Sequence, residues 1–261
     1  MLFFSSSVFS QGPVDGFFKG KGNLDLALSG FYQNSAKFYD GNGLIDYERT
    51  LAGASLFGEY GILENLDVIT TIPFINGRLQ DGGIYLKYRL FRKKFGEAFP
   101  LSVIPAIGIS FPLSNYQTET SQSIGQKAIQ VQPKLVLQYQ TKFGLFFQAQ
   151  GGYNYALLPV PSSIPISGKI GFFQNKFYAD MWFDYQKGIG GKAWHVDPIS
   201  SFRELFVTYS KIGGVIYYGI KPRFGFFVNG SYILSGVNLG KAFSIGGGMV
   251  YKFSFIAPTY K

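Results

Sequence analysis

The sequence predicts an all-β fold, a transmembrane antiparallel up-and-down β-barrel of about 12 strands. Three observations carry that expectation. Apolar and polar residues alternate over stretches of roughly nine to eleven residues, the length that crosses a bilayer at a tilt. The connections between those stretches are tight and extended in turn, as they are where periplasmic turns alternate with extracellular loops. Charged residues make up only 15% of the 261-residue chain while aromatic residues reach 18%, with 34 glycines. Soluble domains carry roughly 25% charge, so this balance suits a sheet with one face in lipid and aromatic girdles at both interfaces.

Composition also excludes several classes. No run approaches the roughly 18 uninterrupted apolar residues of a transmembrane helix. The formal charge is +9, but the basic residues are scattered singly and form no nucleic-acid footprint, so no nucleic-acid partner is expected. With no cysteine and one histidine, neither disulfides nor a metal-ligand spacing arises, and no cofactor is expected. No Pro/Ser-rich linker divides the chain, which therefore reads as one domain.

In chain order, residues 1–10, MLFFSSSVFS, read as the remnant of a signal peptide, with Val8 and Ser10 in the small-residue positions and cleavage before Gln11. An ordinary N-terminus is the alternative. Residues 11–22 carry Phe17 and Phe18 among a proline and four glycines, as a periplasmic tether or a small plug in the lumen. The barrel spans 23–255, and 256–261 form a tail.

The first strand, about Asn23 to Asn34, sets Leu24, Leu26, Leu28 and Tyr32 outward and Asp25, Ser29 and Gln33 inward. The second sets Ala52, Leu56 and Tyr60 against Ser55, Phe57 and Glu59; the third sets Val68, Ile72 and Phe74 against Asp67 and Thr71, with Pro73 marking a bulge or an upper end. The fourth, GIYLKYRL, opposes Ile84, Leu86, Tyr88 and Leu90 to Tyr85, Lys87 and Arg89 and precedes a basic turn at Arg92, Lys93 and Lys94. Strand five covers Leu101 to Phe111, and strand six alternates Val131, Leu135 and Leu137 with Gln130, Gln132, Lys134, Gln138 and Gln140. Strand seven follows a tight turn at 142–144, and strands eight and nine meet at Gln174 and Asn175. Strand nine turns Tyr178, Asp180, Trp182 and Asp184 inward. Strand ten, about Leu205 to Ile220, switches its outward face on this pattern near Lys211 to Gly214, as a bulge would make it do. Strands eleven and twelve run over Phe224 to Leu234 and Phe243 to Phe255, the last alternating Met249, Tyr251, Phe253 and Phe255 outward. Barrel-assembly machinery and membrane lipid are the partners such a chain implies. A soluble β-sandwich shares the alternation and remains the alternative fold.

The block FGEYGILENLDVITTIPFI, then DGGIYLKYRLF, then FPLSVIPAIGISFPLSN resembles the MetA-pathway phenol-degradation family of outer-membrane barrels. Glu59, Tyr60, Gly61, Pro73, Phe74, Asp81, Gly82, Lys87, Tyr88 and Arg89 occupy its places, over a quarter to a third of the chain. DGG departs from the family's second Gly-Asp step. The resemblance, and the family's kinship with long-chain fatty-acid transporters, implies passive uptake of small, hydrophobic or aromatic molecules across a Gram-negative outer membrane. It brings no catalytic motif.

Ten inward charges are the candidate constriction: Asp25, Glu59, Asp67, Arg89 and Lys252 at the periplasmic ends, Lys87, Lys134, Lys169, Asp180 and Asp184 nearer mid-height. Closure of the last strand on the first sets Lys252 opposite Asp25, and strands two to four bring Glu59 and Asp67 toward Arg89. Such mixed charge serves either a selective constriction or an internally braced, occluded lumen. Phe146, Tyr178, Trp182 and Phe227 line an apolar path or fill a narrow interior. A passive channel is the leading function, a barrel that binds protein partners the second. A lipid hydrolase built on His195 near Ser200 and Ser201 is the third; no enzyme is expected, because nothing in the pattern holds a triad together.

Overall fold

The computed structural model describes residues 13–95, 98–119 and 125–255, and within them one antiparallel sheet closes on itself. The wall has twelve strands: β1 (Asn23–Tyr39), β2 (Leu44–Leu63), β3 (Leu66–Ile75), β4 (Asp81–Tyr88), β5 (Ala98–Pro112), β6 (Gln130–Gln140), β7 (Leu145–Gly152), β8 (Ser162–Gln174), β9 (Phe177–Ile189), β10 (Thr208–Lys221), β11 (Phe224–Val237) and β12 (Leu239–Ser254). Each pairs with its sequence neighbour, and β12 pairs with β1 from Asn23↔Ser254 to Tyr39↔Leu239. Closure leaves the wall without an edge strand, which is what a sheet in hydrocarbon needs to satisfy its backbone. No described helix is long and apolar enough to cross a membrane.

The alternation read from the sequence sorts the side chains as a barrel requires. Leu28, Leu56, Ile84, Ile107, Leu135, Ile170, Met181, Ile216, Val228 and Ile245 are exposed around the circumference, while Asp25, Glu59, Lys87, Gln138, Lys169 and Asp184 on the same strands are buried. A sandwich would bury the first set. The glycines share the packing task. Gly108 lies under Tyr85, where a Cβ would meet Cδ1 at 2.0 Å, and the cross-strand pair Gly214 and Gly230 opens a groove of about 680 Å³ on the outer wall.

Several expectations are corrected. The basic turn is strand: Phe91–Phe95 continues β4 beyond Leu90, pairing Arg92 with Ser102 and Lys93 with Leu101. The face of β10 does not switch, because Val215 and Tyr217 remain buried in step with Lys211 and Tyr209. The irregularity lies at Ser210/Lys211, where β11 carries Leu234 as an extra residue. Of the two readings of Pro73 the upper end holds and the bulge does not: it pairs with Ser55 beyond the last β4 partner of β3, Thr71↔Gly83, where its missing N–H breaks no ladder bond to β4. The strands β1, β2 and β12 run several residues longer than the bilayer demands. The signal remnant 1–10, its junction at Gln11 and the tail 256–261 lie outside the described residues.

The outward face makes a direct prediction. Met181→Arg, on a residue 69% exposed in the middle of β9, is expected to cost about 2–4 kcal/mol in urea unfolding from lipid vesicles. Phe143→Arg, in the tight turn between β6 and β7, is expected to cost under about 1 kcal/mol because the turn lies at the interface. Equal costs would contradict the placement of the apolar band.

Candidate functional site

Residues 13–19 lie inside the barrel. Their partners come from strands on opposite sides of the wall: Lys19 N–H donates to Asp67 Oδ2 of β3 at 3.0 Å, Gly16 N–H to Gln148 Oε1 of β7 at 3.1 Å, and the Phe17 ring packs on Phe146 of β7 and Tyr178 of β9. A short segment reaches all three only from within. Val14, Asp15, Phe17, Phe18 and Lys19 are all buried. The approach demands glycine: a Cβ on Gly61 would sit 1.9 Å from the Gly20 carbonyl oxygen, and one on Gly16 would strike the Gln138 amide.

The segment meets two different half-walls. On the side of β1 to β4, Lys87 Nζ lies 2.9 Å from Asp15 Oδ1, 2.5 Å from Glu59 Oε1 and 4.0 Å from Asp67 Oδ2, and it also donates to the Phe17 carbonyl. Lys19 Nζ lies 2.9 Å from Asp25 Oδ2 and 3.1 Å from Glu59 Oε2. Glu59 is thus shared by two lysines, one from the wall and one from the segment. On the side of β7 to β12, Phe17 makes edge contacts with Phe146 at 5.0 Å and Phe173 at 5.7 Å, and Phe146 stacks on Tyr178. Such pairs contribute about 0.5–1.5 kcal/mol each beyond area burial.

The candidate charges separate into two groups. Asp25, Glu59, Asp67 and Lys87 meet at this floor, and Lys252 is the register partner of Asp25 with its Nζ 5.6 Å from the Tyr217 ring. Lys87, expected nearer mid-height, takes the place expected for Arg89, because the ladder pairs Asp67 with Lys87 directly. Arg89 lies one pleat lower, its guanidinium 4.1 Å from the Phe18 ring. Above the floor, Lys169 Nζ lies 2.9 Å from Asp180 Oδ2, to which Tyr178 donates at 2.6 Å, and Asp184 lies 3.9 Å from Lys211 Nζ. Lys134 Nζ faces the Tyr85 ring at 5.5 Å. Of the four candidate aromatics, Phe146, Tyr178 and Phe227 belong to the buried cluster around Phe17, and Trp182 stands apart beside Lys211. They form no continuous apolar path.

At the opposite end, the 190–207 connection between β9 and β10 ties three points of the rim together. Gly41 N–H donates to the Trp194 carbonyl and Asn42 Nδ2 to the His195 carbonyl; Trp194 N–H donates to Asn238 Oδ1. Ser201 Oγ donates to Glu119 Oε1 at 2.8 Å, and Arg203 donates to the carbonyls of Gln126 and Lys127. These bonds reach the turns β1–β2 and β11–β12 and the β5–β6 connection, so the loop crosses the mouth. The Trp194 ring packs among Phe38, Tyr47 and Phe202. His195 Nδ1 lies 2.8 Å from Asp40 Oδ2. Ser201 is engaged by Glu119 and Arg203, and among the described residues no serine hydroxyl is hydrogen-bonded to His195.

Asp15 and Lys19 were not among the candidates and Phe17 was named only within the 11–22 tether or plug; Asp40 was not a candidate either. The signal for the first three was present: two charges bracketing two phenylalanines inside a glycine-rich leader. The Asp40–His195 contact joins residues 155 apart and leaves no local trace.

Two outcomes follow. Lys87→Met keeps the volume and removes the cation, leaving Asp15, Glu59 and Asp67 buried together. It is expected to cost about 3–5 kcal/mol in vesicle unfolding, and Lys87→Met with Glu59→Gln to recover part of that; a loss under about 1 kcal/mol would show the cation to be dispensable. At the rim, burial raises the Asp40 carboxyl, but the His195 hydrogen bond and the N–H groups of Asn42 and Gly43 outweigh it and hold it below its ordinary 3.8. A depressed carboxylate stabilises the contact fully above that ordinary value and ceases to do so as pH falls through the lowered one. Trp194 emission in a Trp182→Phe protein should therefore shift in acid with a midpoint below 3.8, and Asp40→Asn should show the acid-form emission at neutral pH. A midpoint above 3.8 contradicts the assignment.

No protein-family model and no curated protein matches the sequence. Solved structures match in fold. The chain is similar to an outer membrane channel from Pseudomonas putida F1, with a TM-score of 0.71 at 10% identity, over 89% of this chain and 96% of that one. It is similar to the NanC porin, with a TM-score of 0.56 at 12% identity over 88% and 100% of the two chains, and to the KdgM porin, at 0.51 and 11% over 86% and 99%. Identities this low speak for the fold, and the chain has the fold of the outer-membrane β-barrel channels and porins.

Proposed function

We propose that the protein is an integral outer-membrane channel for passive uptake of small molecules, held in a closed conformation by the segment 13–19 at one end and the loop 190–207 at the other. One observation carries the reading. The floor is filled by a segment that precedes β1 and is not part of the wall, whereas a barrel meant only as a scaffold fills a narrow interior with side chains of its own wall. The fold neighbours, channels and porins by description, support it.

Above the floor the inward side chains are largely glutamine, lysine, aspartate and serine. That lining suits a hydrated solute with a ring or a charge better than a purely apolar one. The uptake of hydrophobic or aromatic molecules implied by the MetA-pathway resemblance fits this lumen only where the molecule also carries polar groups. The second reading is a structural or assembly barrel that binds partner proteins, for which the floor would stay closed at all times.

Replacing residues 14–19 with a Gly/Ser segment separates the two. A channel is expected to change from rare, small openings to steady conductance in planar bilayers, and to show faster swelling of liposomes in small sugars. Continued impermeability to every small solute, with the barrel folded by heat-modifiable electrophoresis, would overturn the channel and leave the partner-binding barrel.

A further inference from the structure

We propose that the lumen above the floor contains a binding site for the carboxylate of a small ring-bearing solute, built from Lys134, Lys211 and Trp182 around Asp184; the proposal rests on the channel reading and names its solute class. The charges there do not balance. Lys134, Lys169 and Lys211 stand against Asp180 and Asp184. Lys169 is held by Asp180 at 2.9 Å with both side chains almost fully buried, which removes that pair from play. Lys211 is only loosely matched to Asp184 at 3.9 Å, and its side chain retains 17% exposure. Lys134 has no carboxylate within salt-bridge distance among the described residues, although it lies within electrostatic range of Asp184. One cation is therefore in excess, and it faces the interior.

The surrounding groups fit a ring. Lys211 Nζ lies 5.1 Å from the Trp182 ring and 5.5 Å from the Tyr209 ring, and Lys134 Nζ lies 5.5 Å from the Tyr85 ring, so each ammonium is held beside an aromatic face. Tyr85 is fixed by donating to Gln132 Oε1. Trp182 is buried, and its Nε1–H has no hydrogen-bond acceptor among the described residues, a donor of the kind a carboxylate or hydroxyl oxygen satisfies. Two ammonium groups and an indole N–H supply donors; the rings supply stacking faces. A solute that must also leave has to bind weakly, so a dissociation constant on the order of 1 mM is expected, equivalent to about −4 kcal/mol.

A sugar acid and an aromatic acid share this chemistry, and the test separates them from each other and from passage. Purified Trp194→Phe protein in detergent is titrated with glucuronate, glucose and benzoate while Trp182 emission is followed, and conductance is measured independently in bilayers. Saturable quenching by glucuronate or benzoate but not by glucose is expected, with glucuronate tighter if hydroxyl groups are read and benzoate tighter if the rings dominate. Lys134→Gln is expected to weaken binding about tenfold or more, as loss of a charged hydrogen-bond partner does, and Lys134→Arg to keep it. Heat-modifiable electrophoresis verifies that each variant is folded. Glucose binding as well as glucuronate, or equal loss with arginine and glutamine, would overturn the site. Binding without conductance, even after residues 14–19 are replaced, would sink the channel reading while leaving the site standing.

Discussion

The structure depends on how two lysine ammonium groups are buried among four carboxylates. Lys19 and Lys87 share Glu59, with Asp15, Asp25 and Asp67 around them, and both lysine side chains are at most 2% exposed. Taken out of water, an ion costs several kcal/mol, and only close, hydrogen-bonded partners offset it. The wall supplies more acid than base at this level on β1 to β3, so a wall without the segment would leave carboxylates facing each other. Lys19 answers that excess while Asp15 answers Lys87. The interior segment and the first four strands therefore complete one another electrostatically, and the β1–β12 seam joins the same layer through the register pair Asp25 and Lys252.

The second half-wall explains why the segment has a fixed orientation. Phe17 turns to the aromatic cluster of Phe146, Phe173 and Tyr178, while Asp15 and Lys19 turn to the ions. Rotating the segment about its axis would set phenylalanine against carboxylates and an ammonium against rings. Each half of the floor thus rejects the wrong face of the segment, and a few residues achieve a specificity that neither half would give alone.

How much of this was legible in the sequence follows from the range over which each feature acts. Period-two alternation is local, so the twelve strands and the facing of Glu59, Lys87, Lys134 and Asp184 could be read directly. Register is not local: whether Lys87 or Arg89 meets Asp67 is decided by the length of the β3–β4 connection, and alternation alone cannot distinguish two residues on the same face. The apparent face switch in β10 has a similar origin. Gly213 and Gly214 have no side chains to show a facing, and Tyr209 and Lys211 bring a mixed pair to the inside. The meeting of Asp40 with His195 required the closed barrel itself, since only closure brings the β9–β10 loop over the β1–β2 turn.

The two ends differ in what it takes to move them. The rim is held by hydrogen bonds that are mostly to backbone or partly open to water, with Glu119 exposed, Ser201 half-buried and His195 46% exposed in its side chain. Bonds of that kind contribute about 0.5–1.5 kcal/mol each, because water replaces them when they break. The floor is held by buried charges whose separation costs about 3–5 kcal/mol per broken pair unless water or another ion follows them in. By these magnitudes, breaking the rim bonds is the smaller step, and it leaves the ion pairs of Lys19 and Lys87 as they are.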